Sequence, residues 1–99
     1  MRHTRLGRSG LTVSVVGLGC NTLGRPGTAT LEQAGTDAVV HAALDAGIST
    51  FDTADVYTLG HSERMLGQAL KNLRVPRKDV VIATKVFNPS GTGPNDRGA

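Results

Sequence analysis

Twice along this chain the hydrophobic pattern passes from a strand period to a helix period and back. "ISTFDTADVY", residues 48–57, is rich in β-branched and aromatic side chains and reads as a strand running into a turn. Behind it Leu66, Ala69, Leu70 and Leu73 fall at i, i+3, i+4 and i+7, the apolar stripe of a helix. "DVVIATKVF", residues 79–87, then returns to an unbroken apolar run, which suits a strand covered on both faces. The same alternation precedes it: Val15 to Gly19 reads as a strand, and Val40, Ala43, Leu44 and Gly47 share one helical face. Strand, helix, strand, helix, strand is the order of a parallel sheet with right-handed crossovers, so the expected class is α/β.

Local signals place the boundaries. "LGRSGL" sets Gly7 to Gly10 between Leu6 and Leu11, so residues 4–15 are expected to form a β-hairpin. Thr30 and Gln33 have the spacing of a capping box, and Gly47 stands where a left-handed residue ends a helix. Ser62 is the expected cap of a second helix, with Glu63 in the first turn and Pro76 as the stop. Parallel strands are thus expected near 15–19, 48–52 and 80–85, with helices near 31–46 and 62–73. The third strand keeps a free edge. Residues 88–99, "NPSGTGPNDRGA", carry no large apolar side chain and read as a disordered loop.

Composition narrows the function classes. The net charge of +3 invites a nucleic-acid reading, but the basic residues are interspersed with acids and no aromatics lie among them as stacking platforms. No nucleic-acid partner is expected. No apolar run approaches the roughly 18 residues of a membrane span, and no apolar segment of a signal peptide follows Met1, so no membrane partner is expected. The single cysteine, Cys20, excludes an internal disulfide and fits a soluble protein of the reducing cytoplasm. His3, His41 and His61 lack ligand spacing, so no metal site is expected. Nothing in the sequence indicates an oligomeric state.

"VVGLGCNTLG", residues 15–24, raises the question of a dinucleotide-binding loop. A Rossmann fingerprint needs a third glycine opening a helix, yet Thr22 holds that position and Arg25-Pro26-Gly27 turns the chain away. The reactive residues lie elsewhere. Asp52 stands at the carboxyl end of one strand, Tyr57 in the loop after it, and Lys85 at the end of the next. Functional groups of parallel α/β folds gather at such ends. Strands about 4.8 Å apart allow an Asp52–Lys85 ion pair. A Tyr57 hydroxyl beside an ammonium could act as an acid, since the positive charge favours the phenolate. The plainer alternatives are a structural ion pair and an ordinary loop tyrosine. Asp55 reads as a solvated loop acid and Cys20 as a small group packed at a strand end.

"GLGCNTLG", "STFDTADVYTLGHSERMLGQAL" and "VVIATKV" together resemble the aldo-keto reductases in order and spacing, over residues 4 to 98. The form of the middle motif is most similar to a subgroup with bacterial reductases and potassium-channel β-subunits. The resemblance implies the N-terminal part of a (β/α)8 barrel, incomplete in this chain, that binds NADP(H) without a Rossmann loop. It implies a small-molecule carbonyl substrate, with the hairpin plugging the bottom of the barrel. Gly19, Cys20, Asn21 and Asp52 would contact the cofactor, and Cys20 and Asn21 would line the floor under the nicotinamide. The family's catalytic tetrad is Asp, Tyr, Lys and His, and Asp52, Tyr57 and Lys85 match three of them. In the implied reaction hydride passes to a carbonyl carbon while Tyr57, its acidity raised by Lys85, protonates the oxygen.

The histidine belongs to the fourth strand, which this sequence does not reach. A barrel of roughly 250 residues assigns about 31 to each unit, so a chain of this length holds about three. Residues 1–99 are therefore expected to be the N-terminal segment of one oxidoreductase domain. Two rivals are a truncated non-catalytic product and a cofactor-sensing binding subunit like the channel β-subunits.

Overall fold

The strand–helix alternation is realised in the computed structural model, which describes residues 1–98. β1 (His3–Arg5) and β2 (Thr12–Ser14) form an antiparallel hairpin with His3 opposite Ser14. A parallel sheet follows, built from β3 (Gly17–Gly19), β4 (Thr50–Asp52) and β5 (Val81–Ala83) in the order β3-β4-β5. Helices α1 (Gln33–Asp45) and α2 (His61–Asn72) supply the two crossovers. The expected parallel order holds, and β5 has only β4 as a ladder partner among the described residues. Residues 88–98 contain no helix or strand, and their turn is closed by Ser90 and Gly93 donating to Asp96.

The core explains the register. Leu18, Phe51 and Ile82 are partners across the sheet, and so are Gly19, Asp52 and Ala83. Residues opposite one another in a ladder share a face. Phe51 is fully buried with Val40 and Ala43 of α1 and Leu66, Ala69 and Leu70 of α2. Burying such a ring contributes about 1.5–3 kcal/mol. Gly19, Asp52 and Ala83 lie exposed on the opposite face. The two helices are also joined by polar contacts: Gln33 Nε2 donates to the Met65 carbonyl at 3.0 Å, and Asn72 Nδ2 to Asp37 at 2.8 Å.

The hairpin is fixed at the amino ends of the strands. Ser49 N donates to Ser14 Oγ at 3.0 Å, and Ser14 N donates to Ser49 Oγ at 3.3 Å, just before β4 begins. The carboxyl ends, where Asp52 lies, are left clear of it.

Four local expectations need correction. Thr30 does not cap α1: the helix starts three residues later with Glu32 at the cap position, and no side chain bonds the cap amides. Thr30 Oγ1 instead donates to the Thr22 carbonyl at 2.8 Å, and Gln33 reaches forward to Asp37 and Met65. Ser62 is likewise no cap, because Gly60, at φ +93°, holds that position and Ser62 is buried. Pro76 does not stop α2. Arg74 does so earlier, at φ +55°, where its amide bonds the Lys71 carbonyl and the Val75 amide the Leu70 carbonyl. Finally, "DVVIATKVF" is not covered on both faces. Regular strand spans only Val81–Ala83, and Val86 and Phe87 are each 63% exposed. Gly47, by contrast, ends α1 as expected, at φ +88° with Ile48 N on the Ala43 carbonyl.

No helix among the described residues is long and apolar enough to cross a membrane.

Two helical glycines should respond oppositely to alanine. A Cβ on Gly35 would clash with the Ala29 carbonyl oxygen, whereas one on Gly67 meets nothing within 4 Å. Gly67→Ala should raise stability by about 0.5–1 kcal/mol through helix propensity. Gly35→Ala should lower it by about 2 kcal/mol or more, because backbone must move. Denaturant unfolding of the two variants measures both signs; a stabilised Gly35→Ala would mean that the loop before α1 does not pack there.

Candidate active site

Parallel pairing continues past the strands as written. Thr53 N donates to the Ala83 carbonyl at 2.8 Å and Asp55 N to the Lys85 carbonyl at 3.2 Å. Lys85 lies two residues beyond Ala83, so it returns to the face that carries Asp52. The register therefore turns two residues 33 apart in sequence into neighbours. Lys85 Nζ donates to Asp52 Oδ1 at 2.7 Å. It also donates to the Thr53 carbonyl at 2.8 Å and lies 3.4 Å from the Tyr57 hydroxyl oxygen. The ammonium is 5.1 Å from the centroid of the Tyr57 ring. The structure thus brings together the three residues that the sequence singles out as reactive.

The loop that presents Tyr57 is strained. Thr58 and Leu59 have φ of +47° and +55°, left-handed values that cost an ordinary residue roughly 1–2 kcal/mol each. Leu59 is 83% exposed, so its own packing does not hold it there. Thr58 Oγ1 supplies the restraint by donating to the Leu23 carbonyl at 2.6 Å. The left-handed turn carries the chain from Tyr57 into α2.

Asp52 and Lys85 side chains are about half exposed, at 54% and 49%. The hydrogen bond from Lys85 to Asp52 raises the lysine above its ordinary value near 10.5, and the Tyr57 contact acts in the same direction. The folded chain holds this proton more tightly than the unfolded one does. The pair's contribution is therefore complete below the ordinary lysine value and is lost as pH rises through the raised one. At neutral pH the group beside Tyr57 is an ammonium.

Other candidates divide differently. Gly19 and Asn21 lie exposed next to Asp52 across the ladder, and a Cβ on Gly19 would meet only Asn21 Oδ1, at 3.7 Å. Cys20 points away from them. The whole residue is buried in the core, with its amide on the Asp52 carbonyl and its carbonyl on Ser62, so the thiol does not line a cofactor floor. Burial pushes the thiol up to about 11, which keeps it protonated at neutral pH. Asp55 is not a fully solvated acid: its Oδ1 is shut off from solvent, with no donor among the described residues. His3, His41 and His61 belong to no cluster of three or more metal-ligating side chains among the described residues.

Sequence reasoning missed the support behind the cluster. The Thr53 carbonyl is a second acceptor for Lys85, and Glu63 accepts from Thr84 Oγ1 at 2.7 Å, tying α2 to the segment after β5. Alternation along β4 carried the only signal. If Asp52 faces outward, Thr53 faces the helices and its hydroxyl needs a partner there.

The sequence model of the Aldo/keto reductase family matches residues 15–98. The chain belongs to that family. A probable voltage-gated potassium channel subunit beta of Oryza sativa subsp. japonica is 42% identical over 99% of this chain and 29% of its own length. Versiconal hemiacetal acetate reductase of Aspergillus parasiticus is 46% identical over 88% of this chain and 26% of its own length. Among solved structures, an aldo-keto reductase from Bacillus halodurans, in its holo form, superposes with a TM-score of 0.77 at 35% identity. That match covers 98% of this chain and 30% of the other. The chain thus spans less than a third of the length of these relatives. The aldo-keto reductase neighbours are (β/α)8 barrels, and within this chain the barrel is open.

The Lys85 shift has a direct test. Asp52→Asn removes its largest cause, so the lysine should titrate lower in the variant, as read by NMR of the Lys85 side chain. An unchanged titration would show that the 2.7 Å pair does not form in solution.

Proposed function

We propose that this chain supplies the first two β/α units and the third strand of an NADP(H)-dependent reductase of aldehydes and ketones, with three of its four catalytic groups. One observation carries the proposal: Asp52, Lys85 and Tyr57 meet at the carboxyl ends of two adjacent parallel strands. The reduction of a carbonyl needs an acid poised over the oxygen, and this cluster offers one.

The surface beside the cluster fits the nicotinamide end of the cofactor. Gly19 leaves it free of bulk, and the Asn21 amide offers both donor and acceptor groups for a carboxamide. Residues that grip the phosphates and adenine belong to later barrel units. When bound, the cofactor supplies a hydride for the carbonyl carbon.

The chain's own residues handle the proton. Tyr57 donates its hydroxyl proton to the carbonyl oxygen as negative charge develops there. Lys85, an ammonium at 3.4 Å, stabilises the phenolate left behind. Asp52 and the Thr53 carbonyl fix the ammonium at 2.7 and 2.8 Å, so it need not reorient during the reaction. A histidine on a fourth strand, which the family resemblance implies, would complete the set. Cys20, buried and protonated, takes no chemical part.

A second reading has its own support in the 42% identity to the potassium channel β-subunit relative. In that reading the barrel binds the cofactor and communicates its state without rapid turnover. The two are separated in the full-length protein by following NADPH oxidation with aldehydes present. A reductase turns them over, and Tyr57→Phe should lower kcat by about 10²–10⁴-fold while NADPH binding is kept. NADPH binding with no turnover of any aldehyde or ketone supports the binding subunit. Undiminished turnover in Tyr57→Phe would remove Tyr57 from the mechanism.

A further inference from the structure

Lys85 is held from the front by Asp52 and from below by the Thr53 carbonyl, and Thr53 is itself held from behind. Its side chain is 1% exposed and its hydroxyl lies 2.8 Å from that of Ser62, which is fully buried. Ser62 Oγ is also 2.6 Å from the Cys20 carbonyl oxygen. A carbonyl can only accept, so the one proton of Ser62 goes to Cys20. The proton in the Thr53–Ser62 bond must then come from Thr53. The direction of this buried chain is thereby settled: Thr53 Oγ1 donates to Ser62 Oγ, which donates to the Cys20 carbonyl.

The chain has a consequence at both strand ends. Cys20 N donates to the Asp52 carbonyl at 2.9 Å, and Thr53 N donates to the Ala83 carbonyl at 2.8 Å. Ser62, in the first turn of α2, thus ties the end of β3 to the peptide that follows Asp52. A helix cap could be Asp, Asn, Thr or Ser. A group that must accept from one partner and donate to another inside a fully buried site needs a small hydroxyl.

We propose that Ser62 is a positioning residue for the reaction. Through the Thr53 hydroxyl it sets the Thr53 carbonyl, and through that carbonyl it keeps the Lys85 ammonium beside the Tyr57 hydroxyl. This role rests on the reductase reading of the cluster.

The test uses the full-length protein with Ser62→Ala, Thr53→Val, Thr53→Ser and the Ser62→Ala/Thr53→Val double variant, each assayed with NADPH and an aldehyde. Ser62→Ala and Thr53→Val should each lower kcat about tenfold, with KM and NADPH affinity within about twofold. The double variant should be no worse than either, because both remove one link. The alkaline limb of the kcat/KM profile should move to higher pH in all three, since an ammonium that sits less firmly by the acid favours loss of its proton less. Thr53→Ser keeps the hydroxyl and should restore both rate and profile. A Ser62→Ala protein that loses rate only in proportion to its folded fraction, with an unmoved pH profile, overturns the role and leaves Ser62 a scaffold. If Ser62→Ala does not fold, the Thr53 pair decides alone, and an unimpaired Thr53→Val overturns the proposal. A Tyr57→Phe control separates the two readings. Full activity there sinks the reductase chemistry, whereas a Tyr57-dependent enzyme indifferent to Thr53→Val sinks only the positioning.

Discussion

The register of β4 against β5, with Asp52 opposite Ala83, decides which side chains meet at the strand ends. Side chains alternate along a strand, so a slip of one residue would carry Phe51 out of the core and a carboxylate into it. The burial of Phe51 beneath both helices opposes that slip. With the register held, Lys85 can only rise on the face that carries Asp52. A core residue without chemistry of its own thereby decides where the ion pair forms.

Tyr57 reaches the pair by a different route. No ladder holds it, and its loop passes through left-handed values at Thr58, Leu59 and Gly60. Such a turn persists only where its surroundings pin it. The pins are the Thr58 hydroxyl on the Leu23 carbonyl, and α2, which starts at once and is bound to α1 through Gln33 and Asn72. The strained loop and the rigid helix after it act together, and a phenol without a strand beneath it is kept within reach of an ammonium.

Much of this was legible in the sequence, and the limits are physical. The changes of hydrophobic period reported the order of elements, because burial of one face is a property of each segment by itself. Asp52, Tyr57 and Lys85 stood out because parallel sheets gather reactive groups at strand ends. Thr30 and Ser62 misled for a common reason: a hydroxyl near a helix start is a local signal, and tertiary partners at Thr22, Cys20 and Thr53 outcompeted it. Arg74 ended α2 in a conformation that favours glycine, which residue type alone does not announce. The reach of "DVVIATKVF" was overread because an apolar run shows what a strand can bury, not whether a neighbour is there to bury it. Cys20 was legible as a packed group, but its place in the family motif suggested a second duty that its burial denies to the thiol.

In the proposed reaction Tyr57, supported by Lys85 and Asp52, meets the carbonyl oxygen. The most direct test is a crystal structure of the full-length protein with oxidised cofactor and an inhibitor that carries a ketone-like oxygen. That oxygen should lie about 2.6–3.2 Å from the Tyr57 hydroxyl, with Lys85 still on Asp52 and the Thr53 carbonyl. An inhibitor oxygen held by other groups, or a Lys85 swung away from Asp52 in the complex, would contradict it.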